Sequence, residues 1–217
     1  MKFPIIGERG VFITFEGGEG VGKSTQITRL RDEITAAFPS VEVVITREPG
    51  GTSAAEALRH VVLDPSFAPM DSRAEALAFA AARADHVAQV IKPALLRGAL
   101  VLCDRYIDSS VVYQGVARGL GINEVEQLSL WATQGLLPDT VLVLDLPSGT
   151  GLSRVKHPDR LENAGAIFHK AVREGFLMRA ATDADRYVVI DASAPVEVVA
   201  ASISAAVYDR HTGSQPI

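Results

Sequence analysis

The sequence predicts an α/β domain in which helices cover both faces of a parallel β-sheet. Strand-like runs rich in β-branched residues alternate with longer segments of helical periodicity, which is the pattern of successive βαβ units. A glycine-rich stretch, GGEGVGKST at residues 17–25, joins the first such run to the first helix. Charged residues also end several of the runs, at the sheet edge where parallel sheets bind ligands.

Strands and helices are predicted in alternation along the chain. The strands cover residues 11–16, 41–46, 99–104, 140–146 and 186–191. The helical patterns cover residues 22–37, 52–63, 72–97, 122–135, 163–182 and 195–209. Because no linker or low-complexity stretch divides the 217 residues, we expect a single domain over residues 1–217 that frays from His211 onward.

Composition and charge argue against several classes of protein. Hydrophobic residues make up 47% of the chain and charged residues 22%, as in a globular domain. The formal net charge of −5 argues against a nucleic-acid partner. No apolar run reaches about 18 residues and no signal-peptide pattern is visible, so we expect no membrane partner. The single cysteine, Cys103, is predicted to be a buried strand residue, which favours a cytoplasmic protein.

The glycine-rich stretch matches the pattern G-x-x-x-x-G-K-[ST] in the strand-loop-helix context of a P-loop. Backbone N–H groups and the helix N-terminus suit phosphate oxygens, Lys23 suits the β- and γ-phosphates, and Ser24 suits a Mg²⁺ ion. A turn with no chemical role would not require Lys and Ser at this spacing. We therefore predict that a nucleoside triphosphate binds to Gly17, Gly18, Glu19, Gly20, Val21, Gly22, Lys23, Ser24 and Thr25.

Two further clusters follow the second and third predicted strands. The stretch TREPGGT at residues 46–52 contains Arg47, whose planar guanidinium suits a phosphate. The third strand ends in Asp104 and Arg105, where the carboxylate is placed to help hold Mg²⁺ and the arginine to meet an acceptor phosphate. Asp145, after the fourth strand, is the rival carboxylate for the metal.

A short basic segment at about residues 152–162 precedes the helix predicted at 163–182, and it contains Arg154, Lys156 and Arg160. Phosphoryl transfer spreads negative charge over the equatorial oxygens of the transferred group. Cations on a loop that closes over the site can neutralise this charge. We therefore predict that the segment is a lid.

Taken together, the motifs FEGGEGVGKST, TREPGGT, Phe79-x-x-x-Arg83, CDRYIDSSVVYQG and DRLE resemble those of the bacterial thymidylate kinases, over roughly residues 10–210. The resemblance implies the fold of P-loop nucleoside monophosphate kinases, with helices on both faces of a five-stranded parallel sheet in the order 2-3-1-4-5. It implies transfer of the γ-phosphate of ATP to dTMP, giving dTDP for dTTP synthesis, with Mg²⁺ as cofactor. It also implies a homodimer.

The resemblance assigns roles around dTMP. Phe79 corresponds to the ring that stacks on thymine, and Arg83 to the donor for its O4 atom, where cytosine carries an amino group. Arg47 and Arg105 correspond to arginines that hold the phosphate, and Tyr113 to a ring that disfavours a ribose 2′-hydroxyl. The full set is Glu19, Arg47, Glu48, Pro49, Phe79, Arg83, Arg105, Ser110, Tyr113 and Gln114.

For catalysis, the resemblance implies an arginine in either the P-loop or the lid. The P-loop of this chain has no arginine, so the lid must supply the positive charge. The catalytic residues implied are Lys23, Arg105, Arg154 and Lys156. The implied metal-binding residues are Ser24 and Asp104.

Two alternatives to a dTMP kinase stay open at this point. The nearest is a kinase for another small deoxynucleotide, such as dUMP or dCMP. The other is a P-loop GTPase or nucleotide switch, which would bind a nucleotide and scarcely transfer its phosphate. A GTPase would carry an N-K-x-D motif, and the sequence has none.

Three expectations concern residues outside these motifs. The alanine-rich helix from Ser72 is apolar on most sides, so it either lies at the centre of the monomer or packs against a second copy. Trp131 is predicted to be a core residue because it follows Leu128 at helical spacing. The five histidines show no metal-ligand spacing, and the sequence assigns them no chemistry.

Overall fold

A parallel five-stranded sheet in the order β2-β3-β1-β4-β5 forms the centre of the structure, a computed structural model that describes residues 9–154 and 159–211. All neighbouring strands in this sheet are parallel. The predicted fold and strand order are confirmed, and each strand agrees with its predicted run to within two residues at either end. The strands are β1 (Phe12–Glu16), β2 (Val43–Arg47), β3 (Leu100–Asp104), β4 (Thr140–Asp145) and β5 (Tyr187–Asp191).

Helices connect the strands and cover both faces of the sheet. They are α1 (Lys23–Ala37), α2 (Ser53–Leu63), α3 (Ser72–His86), α4 (Lys92–Leu96), α5 (Ile107–Ser110), α6 (Ile122–Thr133), α7 (Ser148–Leu152), α8 (Ala166–Ala180) and α9 (Val196–His211). Short 3₁₀ turns occur at Pro65–Phe67 and Glu162–Ala164, and wider π-helical turns follow α3 at Val87–Ile91 and α5 at Val111–Ala117. In the part of the chain that the structure describes, none of these helices is long and apolar enough to span a membrane.

The residues of β1 alternate between two apolar layers, one on each face of the sheet. Ile13 and Phe15 pack into the layer that contains residues of α1 and α9. Phe12 packs on the opposite face, with Val101 and Cys103 of β3. Because helices cover both faces, an inner strand is apolar along its whole length. Cys103 is fully buried, as predicted.

The helix predicted at 72–97 is present as three consecutive helical segments. α3 passes into the π-helical turn, where the Lys92 N–H donates to Val87 O, and α4 follows. Pro93 lies just beyond this turn. Proline lacks an N–H and its ring crowds the preceding turn, and a locally widened helix accommodates both effects.

The helical segment at residues 107–117 is absent from the predicted elements. Its sequence contains Val111, Val112 and Gly115, which are weak helix formers. The Glu16 carboxylate at the end of β1 accepts the N–H groups of Tyr106 and Ser109 at the start of this segment. A tertiary contact therefore caps a helix that local preference alone would not predict.

Two expectations about individual side chains are wrong. Trp131 is 80% exposed, because the buried face of α6 carries Val125, Ser129 and Ala132 and Trp131 points away from it. His211, predicted to fray, ends α9 and is buried, with its Nε2 2.8 Å from Thr140 Oγ1. Residues 212–217 lie outside the described part of the chain.

Candidate active site

The P-loop lines a cavity of about 660 Å³ at the carboxyl edge of the sheet. Gly22, with φ of 95°, turns the chain into α1, so that the helix N-terminus faces this cavity. The Nζ atom of Lys23 donates to Gly18 O at 2.8 Å and lies 3.4 Å from Gly17 O. Burial, followed by the nearby charge of Arg105, lowers the pKa of Lys23. Residues 19–25 of the loop line the cavity directly, whereas Gly17 and Gly18 of the predicted set are not among its lining residues.

Ser24 and Asp104 supply two adjacent oxygens at the same cavity. The Ser24 hydroxyl donates to Asp104 Oδ2 at 2.9 Å, and both residues line the cavity. Asp145, the rival carboxylate, instead accepts both Nε and Nη2 of Arg173 at 2.7 and 2.8 Å. A hydroxyl and a single carboxylate fit Mg²⁺, which prefers oxygen ligands and usually keeps several waters. The donor set therefore fits the metal implied for this site.

The start of the predicted lid packs directly against the P-loop. A Cβ atom on Gly151 of α7 would lie 2.1 Å from Glu19 O, and one on Gly20 would lie 2.0 Å from Gly151 O. Only glycine at both positions permits this backbone contact. Arg154, just after α7, lines the cavity and donates from Nη1 to Gly20 O at 3.0 Å. Lys156 belongs to residues 155–158, which are outside the part of the chain that the structure describes.

A second, smaller cavity of about 130 Å³ adjoins the first. Phe79 and Arg83 of α3 line it together with Ser110, Tyr113 and Gln114 of the segment 107–117. Glu48 and Pro49, joined by a cis peptide bond, come from the loop after β2. The sequence motifs predicted for an acceptor nucleotide are thus brought together from three separate parts of the chain.

Arg83 is the most constrained cation of the second cavity. It is 2% exposed, and its Nε donates to Glu48 Oε2 at 2.6 Å. Its Nη2 donates to Tyr106 O and to Ser110 Oγ, each at 3.0 Å. Its Nη1 donates to Ser129 Oγ of α6 at 3.3 Å. These contacts fix the guanidinium at the wall of the second cavity.

Glu19, Glu48, Arg59 and Arg105 line both cavities, and Arg105 has the most unusual backbone of the four. Its φ of 70° lies in the left-handed region that non-glycine residues rarely adopt. Its Nη2 donates to Glu19 Oε1 at 2.9 Å, and its Nη1 donates to Gly17 O at 2.9 Å. The guanidinium of Arg105 therefore lies at the junction between the two cavities.

Glu19 is held in its ionised form at this junction. Burial raises the pKa of Glu19, but the charges of Arg105 and Lys23 together lower it to about 2. Tyr113 donates its hydroxyl to Glu19 Oε1 at 2.6 Å, and burial raises the pKa of Tyr113 well above its usual value. Tyr113 consequently stays protonated and acts as a hydrogen-bond donor.

Glu16 is a second buried carboxyl group close to the site, and its pKa is shifted in the opposite direction to that of Glu19. Burial, and then the charge of Asp108, raises the pKa of Glu16 to about 7. Its Oε2 accepts the hydroxyl of Ser109 at 2.6 Å, and its Oε1 accepts the Tyr106 N–H at 2.8 Å. Glu16 thereby anchors the backbone that follows Arg105.

Two arginines, from the end of β2 and from α2, also line the first cavity, and one of them, Arg59, was not predicted from the sequence. Arg47, which the resemblance assigns to the acceptor phosphate, lines this first cavity and is not among the lining residues of the second. Its Nη2 pairs with the two carboxylate oxygens of Glu56 at 2.9 and 3.0 Å. Arg59 of α2 donates from Nη1 to Pro49 O at 2.9 Å. Burial and the charge of Arg47 lower the pKa of Arg59. The sequence offered one indication of this role for Arg59. The residue lies seven positions after TREPGGT, in helix α2, which starts from that loop.

The lid residue Arg160 points away from the first cavity. Its Nη2 is 2.6 Å from Glu75 Oε2, and its Nε donates to Val62 O at 2.9 Å. Glu75 is fully buried and also accepts Gln114 Nε2 at 2.8 Å. Arg160 therefore ties the lid to the wall of the second cavity, and Arg154 is the described lid residue that reaches the P-loop.

Sequence reasoning also missed residues that support the predicted ones. His86 contacts Glu48, and Ser129 accepts a hydrogen bond from Arg83. Glu75 accepts a hydrogen bond from Gln114. Their roles depend on packing between helices that are distant in sequence, so no local sequence motif predicts them. The loop after β5 lines the first cavity through Ala192 and Ala194, with Val196 and Val199 of α9 beyond it. Its position after the carboxyl end of a strand was the only signal.

Comparison with known proteins agrees with this geometry. The family model described as thymidylate kinase matches residues 15–203. A thymidylate kinase of Clavibacter sepedonicus is 51% identical over 202 residues, covering 90% of this chain and 93% of that protein. One from a Geobacillus species is 43% identical over 210 residues, covering 94% and 99%. The crystal structure of thymidylate kinase from Ehrlichia chaffeensis matches with a TM-score of 0.75 at 30% identity, covering 89% and 96%. The chain therefore belongs to the thymidylate kinase family.

Proposed function

We propose that this chain transfers the γ-phosphate of ATP to dTMP by holding the two nucleotides in its two adjoining cavities. The observation that carries the proposal is that Glu19, Glu48, Arg59 and Arg105 line both cavities at once. A donor phosphate and an acceptor phosphate would meet at this junction. Positioning and charge stabilisation supply most of the catalysis in such a reaction, so no nucleophile from the protein is needed.

The first cavity is the donor site in this proposal. Residues 17–25 supply backbone N–H groups to the phosphates, and Lys23 contributes a buried positive charge. Ser24 and Asp104 would hold Mg²⁺, which neutralises charge on the β- and γ-phosphates when bound. Arg154 covers this side from the lid at about residues 152–162. Its contact with Gly20 O supports that role.

The second cavity is the acceptor site. Arg105, which lines both cavities, and Arg47, which lines the first, hold the dTMP phosphate where the two cavities meet. The ionised Glu19 accepts a hydrogen bond from the 3′-hydroxyl of the sugar. Tyr113 limits the space beside the sugar. Phe79 stacks on the base, with Ser110 and Gln114 near its edge and Glu48 and Pro49 forming the opposite wall.

Arg83 selects the base. An arginine N–H can donate to thymine O4, but it meets the amino group of cytosine donor to donor. Four contacts fix this guanidinium, so it cannot turn to avoid the clash. Uracil differs from thymine by one methyl group, which is worth only ~1–3 kcal/mol in a pocket, so weak use of dUMP is expected.

A coupled product assay tests the proposal. ATP and dTMP should give dTDP and ADP in equal amounts, whereas dCMP should give far less product. Lys23→Ala should abolish formation of both products while its circular dichroism spectrum stays native. ATP hydrolysis at the same rate with and without dTMP would favour a nucleotide switch instead.

We also propose that the working form is a homodimer in the cytoplasm. Leu77 on α3 is 58% exposed and Trp131 on α6 is 80% exposed, and these two helices pack side by side. Large apolar side chains on adjoining helices are typical of a self-association surface. The buried thiol of Cys103, which forms no disulfide, suits a reducing compartment.

A further inference from the structure

His86 is a fully buried histidine, and both of its ring nitrogens have partners beside the acceptor cavity. It lies on α3 three residues after Arg83. Its Nδ1 is 3.1 Å from Glu48 Oε1, and its Nε2 is 2.6 Å from Thr46 Oγ1. A carboxylate oxygen accepts and cannot donate, so the ring proton is assigned to Nδ1. Nε2 then accepts the hydroxyl hydrogen of Thr46.

Glu48 divides its two oxygens between His86 and Arg83. Oε2 accepts Arg83 Nε at 2.6 Å, whereas Oε1 accepts His86 Nδ1. The carboxylate is 4% exposed, so water cannot replace either partner without opening the site. Rotation of the carboxylate would break one of the two hydrogen bonds. His86 therefore fixes Glu48, and Glu48 fixes Arg83.

The orientation of Arg83 matters because its donors are nearly all used. A guanidinium has five N–H donors. The Nε–H contacts Glu48, one Nη1–H contacts Ser129, and the two Nη2–H groups contact Tyr106 and Ser110. Subtracting these four from five leaves one Nη1–H that has no partner among residues 9–154 and 159–211. The plane of the guanidinium decides where this last donor points.

The loop after β2 holds the ring of His86 in place. A Cβ atom on Gly51 would lie 2.5 Å from His86 Cδ2 and 2.9 Å from Thr46 Oγ1. Gly51 also has φ of 87°, which side chains rarely tolerate. The backbone of this loop consequently closes on the ring and leaves it no room to turn.

We propose that His86 is a positioning residue for recognition of the acceptor base. Through Glu48 it holds Arg83 in the orientation that presents its remaining N–H to the base. This inference rests on the proposed function, since it concerns how the acceptor site reads thymine. A histidine that served packing alone would affect the stability of the fold and leave base choice unchanged.

Two substitutions at His86 separate its two hydrogen bonds. His86→Asn keeps an N–H donor on Cγ, at the position of Nδ1, and so retains the contact with Glu48. His86→Gln moves the amide one bond further, toward Thr46 and past Glu48 Oε1. His211→Gln is the matched control, because His211 is also a buried histidine whose Nε2 contacts a threonine hydroxyl, that of Thr140 at the opposite end of the sheet.

The readout is the ratio of kcat/KM for dTMP to kcat/KM for dCMP. We expect His86→Gln to lower this ratio about tenfold, mainly through KM for dTMP, which is the scale of one hydrogen bond to a charged group. His86→Asn should stay within about threefold of the wild-type ratio, and His211→Gln should match wild type. A wild-type ratio in His86→Gln, or equal losses in Gln and Asn variants, overturns the inference. Lack of dTMP preference in the wild-type enzyme would instead refute the proposed function.

A measurement on the wild-type protein covers the case in which His86→Gln does not fold. In protein labelled with ¹⁵N-histidine, the resonances of the His86 ring are identified by their absence from the His86→Asn spectrum. They should report the Nδ1–H tautomer, and this N–H should shift when dTMP is added. An Nε2–H tautomer contradicts the proposed contact with Glu48, and a resonance unmoved by saturating dTMP contradicts the role of His86 in recognition of the base.

Discussion

At the scale of single residues, Glu16 and Glu19 lie three positions apart and have opposite electrostatic environments. Glu19 faces Arg105 and Lys23, which lower its pKa to about 2 in spite of burial. Glu16 lies beneath the site, where burial and Asp108 raise its pKa to about 7. The two carboxyl groups should therefore affect stability in different ranges of pH.

Glu19→Gln should remove stability that depends on an ionised carboxylate. Because the folded-state pKa is below the unfolded value near 4.5, this contribution is complete above about pH 4.5 and is lost as pH falls toward 2. Its full size should be up to roughly 3 kcal/mol. Urea unfolding of wild type and variant at pH 3 to 6 checks this. The advantage of the wild-type protein should shrink on acidification, and a constant difference would show that Glu19 is not held ionised by its neighbours.

Glu16→Gln should show the opposite trend. Since the folded-state pKa is raised, the wild-type protein is most stable with respect to this group below pH 4.5. It loses that stability as pH rises through about 7. The variant does not titrate there. Its free energy of unfolding should therefore rise relative to that of the wild-type protein by about 1–3 kcal/mol between pH 5 and 8. Thermal unfolding across that range measures the gain, and parallel curves for the two proteins would refute it.

The residues of the site were predictable to different degrees. Lys23, Ser24, Asp104 and Arg105 follow from short motifs, because the chain places them next to the phosphate site through local geometry. His86, by contrast, lies on a helix whose pattern indicates only packing. Its contacts with Glu48 and Thr46 depend on how α3 meets the end of β2. The spacing of residues in the sequence does not predict these contacts.

At the scale of elements, α7 connects the lid to the P-loop through a backbone contact. Gly151 is in contact with Glu19 O, whereas Gly149 of the same helix has open space where a side chain would begin. The two glycines form a matched pair. A side chain at one of them displaces the P-loop, and a side chain at the other does not.

Gly151→Ala should push the lid and the P-loop apart, because its Cβ would meet Glu19 O at 2.1 Å. We expect KM for ATP to rise and kcat to fall, together by at least about tenfold in kcat/KM. Gly149→Ala should keep wild-type kinetics and gain up to about 1 kcal/mol of stability from helix propensity. Steady-state kinetics and thermal unfolding test both. Equal kinetics in the two variants would mean that the contact between α7 and the P-loop has no role in catalysis.

The strands and long helices follow from periodicity and apolar pattern, so their bounds were predicted closely. The segment 107–117 was not predicted, although it carries Ser110, Tyr113 and Gln114. Its start is capped by Glu16, a residue about 90 positions earlier in the chain. Elements whose stability comes from tertiary contacts are the ones that local propensity fails to predict.

At the scale of the whole molecule, the exposed apolar residues of α3 and α6 predict self-association. Substituting Trp131 by Glu should weaken a dimer by roughly 2 kcal/mol or more, as expected for a central aromatic anchor. Ile167→Glu on α8 is the control, because Ile167 is 89% exposed and lies on a different helix. Sedimentation velocity should give twice the 23.1 kDa mass for wild type and the control, and a lower mass for Trp131→Glu. A wild-type monomer would contradict the proposed assembly.

The central claim is that one edge of the sheet binds two nucleotides side by side, and calorimetry tests it most directly. Titration of dTMP into the protein, alone and saturated with a non-hydrolysable ATP analogue, should give one site per chain in both cases. The reason is that the two cavities adjoin, with Arg105 and Glu19 in the lining of both, so each should take its own nucleotide. Absence of dTMP binding, or competition between dTMP and the analogue for a single site, would contradict the account.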